Sequence, residues 1–155
     1  MNQATFRVVP SDHAPDTGEV EILIDGVNLC ALVREVEHGQ PGAEEIAGRY
    51  AGLRADRDVL PPSEHFLGAP GWRIYDYGGK TQVLGCECGE PGCWPLVCAI
   101  ELRADEIVWR NFEQPHRSTG ENHGPVWTYD RLGPFRFERH HYEAALASLP
   151  LADAV

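Results

Sequence analysis

Three cysteines, Cys86, Cys88 and Cys93, fall within eight positions of the stretch LGCECGEPGCW, residues 84–94. Thiols this close together have three fates. As thiolates they are soft ligands, and at a glycine-rich turn they suit a tetrahedral zinc site. As a pair they can form a reversible disulfide. As protonated side chains in a tight turn they are small apolar groups without chemistry.

Strand geometry narrows these options. If residues 81–88 form a strand, Gln82, Leu84, Cys86 and Cys88 share one face, and Val83, Gly85 and Glu87 share the other. Glu90-Pro91-Gly92-Cys93 carries Pro-Gly at its centre, a type II turn signal. The chain is therefore expected to reverse, to set Cys93 opposite Cys88, and to gather three thiols at the mouth of one hairpin. Opposed strand residues lie about 4.5–5.5 Å apart at Cα, within disulfide range, so Cys88 and Cys93 make the best redox pair. No C-x-x-C at a helix start is present to depress a thiol pKa.

Zinc needs a fourth ligand. His116 or His123, from the polar loop QPHRSTGENHGP (114–125), would complete a Cys₃His site. Cys98 is expected roughly 10 Å too far along the returning strand, and it alternates with Leu96, Ile100 and Leu102 as a core residue does. Cys30 lies off the apolar stripe of its helix and reads as an incidental thiol.

The elements that must position the cluster are short. TFRVV (5–9) and EVEILI (19–24) read as strands. Asp25-Gly26 suits a hairpin turn, and from Asn28 a helix fits, with Leu29, Leu32, Val33 and Val36 on one stripe. Asn28 is a good N-cap, and Gly39 is a good residue just past the C-terminus. AEEIAGRYAGL (43–53) suggests a second short helix. The second half predicts an antiparallel meander, with strands near 72–77, 81–88, 95–103 and 106–113 and a further one at 126–130. FERHHYEAALASL (137–149) predicts a closing helix through Tyr142, Ala145, Leu146 and Leu149. Consecutive strands flanked by helices point to an α+β fold with a mainly antiparallel sheet.

Composition bounds the rest. The 155 residues suit one domain, and 43% hydrophobic with 24% charged content suits a globular protein. No apolar run approaches the roughly 18–20 residues of a membrane span, and the N-terminal stretch has no secretory pattern. The expected location is the cytoplasm, where stable disulfides are disfavoured. A net charge of −11 argues against nucleic acid and anionic membranes. It leaves solubility, or a basic protein partner.

Other motifs are absent: no G-x-G-x-x-G, P-loop, G-x-S-x-G or H-E-x-x-H occurs. His140 and Glu143 have a spacing some metal helices use, but without a partner motif they read as a solvated face. His65 reads as structural. Trp72, Trp94, Trp109 and Trp127 read as packing residues, with a shared aromatic pocket as the alternative.

GCECGEPGCWPL, IVWRNF (107–112) and PFRFERHHYEAAL (134–146) together resemble a loose group of uncharacterised bacterial proteins of this size. The resemblance covers the second half better than the first and rests on the Cys-Xaa-Cys-Gly-Xaa-Xaa-Gly-Cys run. It implies that this run is a fixed part of the architecture. It brings no activity, so no residue role is carried over.

The sequence thus reads as a non-catalytic, partner-binding domain whose cysteine turn holds a structural zinc. The alternatives are a thiol redox enzyme or sensor using Cys88 and Cys93, and a small-molecule binding module. Oligomeric state has no signature in the sequence.

Overall fold

The structure, a computed structural model, describes residues 1–119 and 125–152. It is α+β with a sheet-dominated core. The strands are β1 (Ala4–Val9), β2 (Glu19–Ile24), β3 (Val27–Asn28), β4 (Tyr50–Arg54), β5 (Asp76–Tyr77), β6 (Lys80–Cys86), β7 (Leu96–Leu102), β8 (Glu106–Glu113) and β9 (Phe135–Glu138). The helices are α1 (Leu29–Glu37) and α2 (Arg139–Ala147).

The main sheet runs β1-β2-β4-β6-β7-β8-β9, and each of its strand pairs is antiparallel. Its two ends meet. Asn2, just before β1, bridges Phe137 of β9, and its N–H donates to the Arg136 carbonyl at 2.8 Å. That contact shields backbone that an open edge strand would leave unpaired.

Alternation in β2 buries Val20, Ile22 and Ile24 against the core. Asp25 and Gly26 both take positive φ, 53° and 82°, as a two-residue turn with the strand's own twist requires. They pair Ile24 with Val27 before α1 begins. The Asn28 side chain then caps α1, accepting from the Cys30 N–H at 2.7 Å. At the other end of the chain, Tyr142 of α2 is fully buried among the rings of Phe6, Trp109 and Phe137. Its hydroxyl donates to the Phe66 carbonyl and accepts from Trp109 Nε1.

The core also holds a carboxylate. Glu37, the last residue of α1, has no exposed surface. It accepts from the Gly48 N–H at 2.8 Å and from the hydroxyls of Tyr50 and Tyr129. Gln114 Nε2 donates to the Tyr50 hydroxyl in turn. Burial pushes the Glu37 carboxyl above its usual range, although these hydrogen bonds oppose the shift.

Several elements differ from the sequence expectation. Residues 43–49 form turns, and Tyr50–Arg54 is a strand, where a helix over 43–53 was expected. The Gly48 N–H goes to Glu37 and β4 completes the sheet between β2 and β6, so tertiary pairing overrides the local helical pattern. The strand expected near 72–77 is a 3₁₀ turn, Arg73–Tyr75, followed by the short β5. The segment expected as a strand over 126–130 has no ladder. It is pinned instead by Trp127 N to the Arg117 carbonyl, Trp127 Nε1 to the Pro41 carbonyl and Thr128 N to Gln40 Oε1. Phe137 and Glu138 belong to β9 rather than to the closing helix, and Glu138 caps that helix through the His141 N–H.

Candidate metal centre

β6 ends at Cys86 and β7 begins at Leu96, so residues 87–95 form the connection between two paired strands. The strand stops two residues earlier than expected, and Cys88 therefore lies in the loop rather than on a ladder opposite Cys93. The loop is two successive turns. Gly89 N donates to the Cys86 carbonyl at 3.0 Å, and Cys93 N donates to the Glu90 carbonyl at 3.2 Å. The Pro-Gly turn is present, but Gly92 is not among the residues with positive φ, which excludes type II. The left-handed position is Gly89, at φ 89°.

The loop is anchored from below and from the side. The buried Gln82 side chain donates to the Pro91 carbonyl at 2.9 Å and to the Leu84 carbonyl at 3.1 Å. Trp94 is buried next to Cys93 and stacks on His116. The His116 ring donates from Nε2 to the Gly92 carbonyl at 2.8 Å.

Within this frame the three thiols converge. The Sγ atoms of Cys86, Cys88 and Cys93 all lie within 4.8 Å of one another. Ligands at about 2.3 Å around one tetrahedral ion stand roughly 3.7 Å apart, so a small contraction would suit the trio to a metal. All three are free thiols. The Cys88 N–H points at Cys86 Sγ, at 3.4 Å, and so would stabilise a thiolate there. Cys86 is half-buried, whereas Cys88 and Cys93 are exposed.

The protons are shared unequally. The Glu90 N–H, then the Cys86 thiol, hold Cys88 below the ordinary thiol range. Burial pushes Cys86 up to about 12. Of the three thiols, Cys88 is thus the readiest to ionise. A cation bound there would displace the remaining protons.

His116 is not part of the three-sulfur group; its Nε2 supports the loop at Gly92. His123 lies outside the described residues. Cys98 is fully buried, opposite Thr81, and burial raises its thiol far above the ordinary range. Cys30 is half-buried and pushed up to about 12, chiefly by desolvation. Trp94, Trp109 and Trp127 are buried in the core, while Trp72 is half-buried. Trp94 and Trp127 also flank Arg117, whose guanidinium carbon lies 5.0 and 5.4 Å from their ring centres.

Two residues near the loop carry no sequence signal of their own. His13, between β1 and β2, packs on Gly89: a Cβ at Gly89 would lie 3.0 Å from His13 Cβ. Glu19, at the start of β2, stands beside that histidine. His13 and Cys86 line one cleft of about 230 Å³ with Gly52, Asp56, Trp72 and Tyr75. The local sequence around His13 is rich in turn formers, and only the strand order β2-β4-β6 brings it to the cysteine loop.

Among the described residues no helix is long and apolar enough to cross a membrane. Comparison with known proteins finds no matching family model, no matching curated protein and no matching solved structure.

Proposed function

We propose that Cys86, Cys88 and Cys93 hold a structural zinc ion that fixes the connection between β6 and β7, in a non-catalytic domain whose work is to bind a partner. The observation that carries the zinc reading is the convergence of three Sγ atoms within 4.8 Å on one loop. Three soft ligands favour zinc over magnesium or calcium, which prefer oxygen. An ion there would link the end of β6 to the turn before β7, where the loop now relies on hydrogen bonds from Gln82 and His116. A net charge of −11 favours a basic protein partner over nucleic acid.

Elemental analysis of protein purified under reducing conditions tests the metal. One equivalent of zinc is expected, lost in C88S. A metal-free protein that also takes up no zinc on titration would sink the reading. A second reading is favoured by one observation, the exposed Cys88 with its lowered thiol pKa. In it, Cys88 pairs reversibly with Cys93 under oxidation, and differential alkylation of the metal-free protein would reveal that disulfide.

A further inference from the structure

We propose that His13 is the fourth metal ligand, through Nδ1, and that Glu19 is the carboxylate that orients it. This rests on the zinc reading of the three thiols and supplies what that reading lacks.

The ring lies against the ligand loop. Measured from the position a Cβ would take on Gly89, His13 Cβ is at 3.0 Å and Nδ1 at 3.5 Å. Gly89 sits between Cys88 and Glu90, so the Nδ1 edge of the imidazole abuts the loop that carries all three sulfurs. Any side chain at 89 would meet a positive φ of 89° and crowd His13, which would have to shift. The glycine is what lets the histidine approach.

The opposite edge of the ring faces an acid. His13 Nε2 lies 3.5 Å from Glu19 Oε1. It is buried and makes no hydrogen bond. The Glu19 carboxylate is itself held, because its Oε2 accepts from the Gly52 N–H. Gly52 is needed there, since a Cβ would sit 2.2 Å from the Val20 carbonyl oxygen and 2.9 Å from Glu19 Oε2.

The arrangement is therefore Gly52 N–H to Glu19, Glu19 to His13 Nε2, and His13 Nδ1 toward the thiol loop. Metal-binding histidines commonly donate their second ring N–H to a carboxylate, which fixes the tautomer and raises ligand basicity. With a metal on Nδ1, the proton belongs on Nε2, which is the nitrogen that faces Glu19. A small rotation then converts the 3.5 Å approach into a hydrogen bond.

The competing donors fit less well. His116 spends Nε2 on the Gly92 carbonyl. Asp56, Asp58 and Glu90 also line the cleft, but a carboxylate is the harder ligand beside three thiolates. The three-sulfur group contains no histidine as it stands, so the ring moves toward the sulfurs when the ion binds.

The test is a titration of the full chain with Co²⁺, and separately with Zn²⁺, under reducing, oxygen-free conditions. Wild-type protein should give the visible bands of tetrahedral cobalt with three thiolates and one imidazole. In the zinc form, long-range ¹⁵N spectra should show His13 metallated at Nδ1 and protonated at Nε2. H13A should alter the cobalt bands and weaken binding at least tenfold, with added imidazole restoring the bands. E19Q should weaken binding about 10–100-fold with the bands retained. Cobalt bands and affinity unchanged in H13A, with binding abolished in C88S, would overturn the role of His13 and leave the thiol site standing. A wild-type chain that binds neither ion would overturn both. If H13A does not fold, the ¹⁵N spectrum of the wild-type protein decides alone, and a His13 ring unaltered by zinc overturns the proposal.

Discussion

Tyr50 of β4 and Cys86 of β6 are directly opposed across the sheet, and each belongs to a cluster of ionisable groups. The two clusters are built on opposite terms. Around Glu37 everything is internal: the carboxylate has no exposed surface, and three donors converge on it, two from residues 48–50 and one from Tyr129. Around Cys86 two of the three thiols face solvent, and the group's hydrogen bonds are mostly to itself. The first cluster is complete without a ligand. The second is a group of three thiols that could hold a cation. Enclosure marks the former as structural, because a buried charge is tolerated only when its partners are supplied in advance. Exposure leaves Cys88 and Cys93 of the latter open to solvent.

The largest expected effect tests the first half of that contrast. Glu37→Ala leaves the Gly48 N–H and the Tyr50 and Tyr129 hydroxyls without their acceptor. Each unsatisfied buried group costs about 1–3 kcal/mol, so urea unfolding should show a loss of about 3 kcal/mol or more. Replacing all three side chains together, as E37L/Y50F/Y129F, should recover part of it, because the orphaned hydroxyls go too. A loss below about 1 kcal/mol in E37A would show that water satisfies the site and would break the comparison.

Acidity gives the next largest effect, with signs that differ by group. Burial pushes His65 down to about 4. The folded protein therefore prefers the neutral ring, and the stability it contributes is full above the ordinary histidine value and is lost as pH falls from about 6.5 to about 4. Two to three pKa units correspond to about 3 kcal/mol. His65→Gln should flatten this part of the stability-pH curve. Glu37 runs the other way. Its raised carboxyl binds a proton more tightly folded than unfolded, so its contribution is full below the ordinary carboxyl range and declines as pH rises through the raised value. Glu37→Gln removes that decline. Urea midpoints from pH 4 to 8 for wild type and both variants separate the two, and parallel curves for all three proteins would contradict both assignments.

The fold was more legible than the site, for a physical reason. Strand β2 and helix α1 follow from short-range patterns: the alternation of Val20, Ile22 and Ile24, and the stripe from Leu29 with Asn28 as cap. The thiols were legible too, because a turn of nine residues between paired strands cannot scatter them far. The failures needed distant partners. Ile46, Tyr50 and Leu53 have helical spacing, yet Tyr50 is drawn into a strand by β6 and by Glu37. His13 is 73 residues from Cys86 in the chain numbering and meets the loop only through the fold. His116 was expected as a candidate fourth ligand from the polar loop 114–125, and it does reach the cysteine loop, as a donor to the Gly92 carbonyl. Proximity in sequence finds the side chains that share a turn, and it does not assign their roles.

Zinc binding should stabilise the exposed cluster and leave the buried one indifferent. A ligand that binds only the folded chain at about one hundred times its Kd adds about 2.7 kcal/mol. At roughly 2–4 °C per kcal/mol for a chain of this size, thermal scans with and without a chelator should differ by several degrees. Cys88→Ser and Cys93→Ser should abolish the difference, whereas Cys98→Ala should lower the melting temperature equally in both conditions, since Cys98 is a core residue. An unchanged chelator effect in C88S would detach the stabilisation from the thiols.

The smallest effect is the sharpest test of the contrast. In metal-free protein at neutral pH, Cys88→Ser should change stability by less than about 0.5 kcal/mol, because an exposed side chain away from the core has little to lose. A difference should grow as pH rises. The thiol is held below its ordinary range by the Glu90 N–H and by Cys86, so its thiolate contributes stability above the unfolded thiol pKa, and that contribution fades as pH falls through the lowered value. Serine cannot ionise there, so wild type should gain stability relative to C88S between pH 6 and pH 10. The near-silence of Cys88 without metal, set beside a loss of about 3 kcal/mol or more in E37A, is what separates a group waiting for a ligand from one already provided with its partners. A large loss in metal-free C88S at pH 6 would mean that the thiols brace the loop by themselves, and the two clusters would then be structural in the same sense.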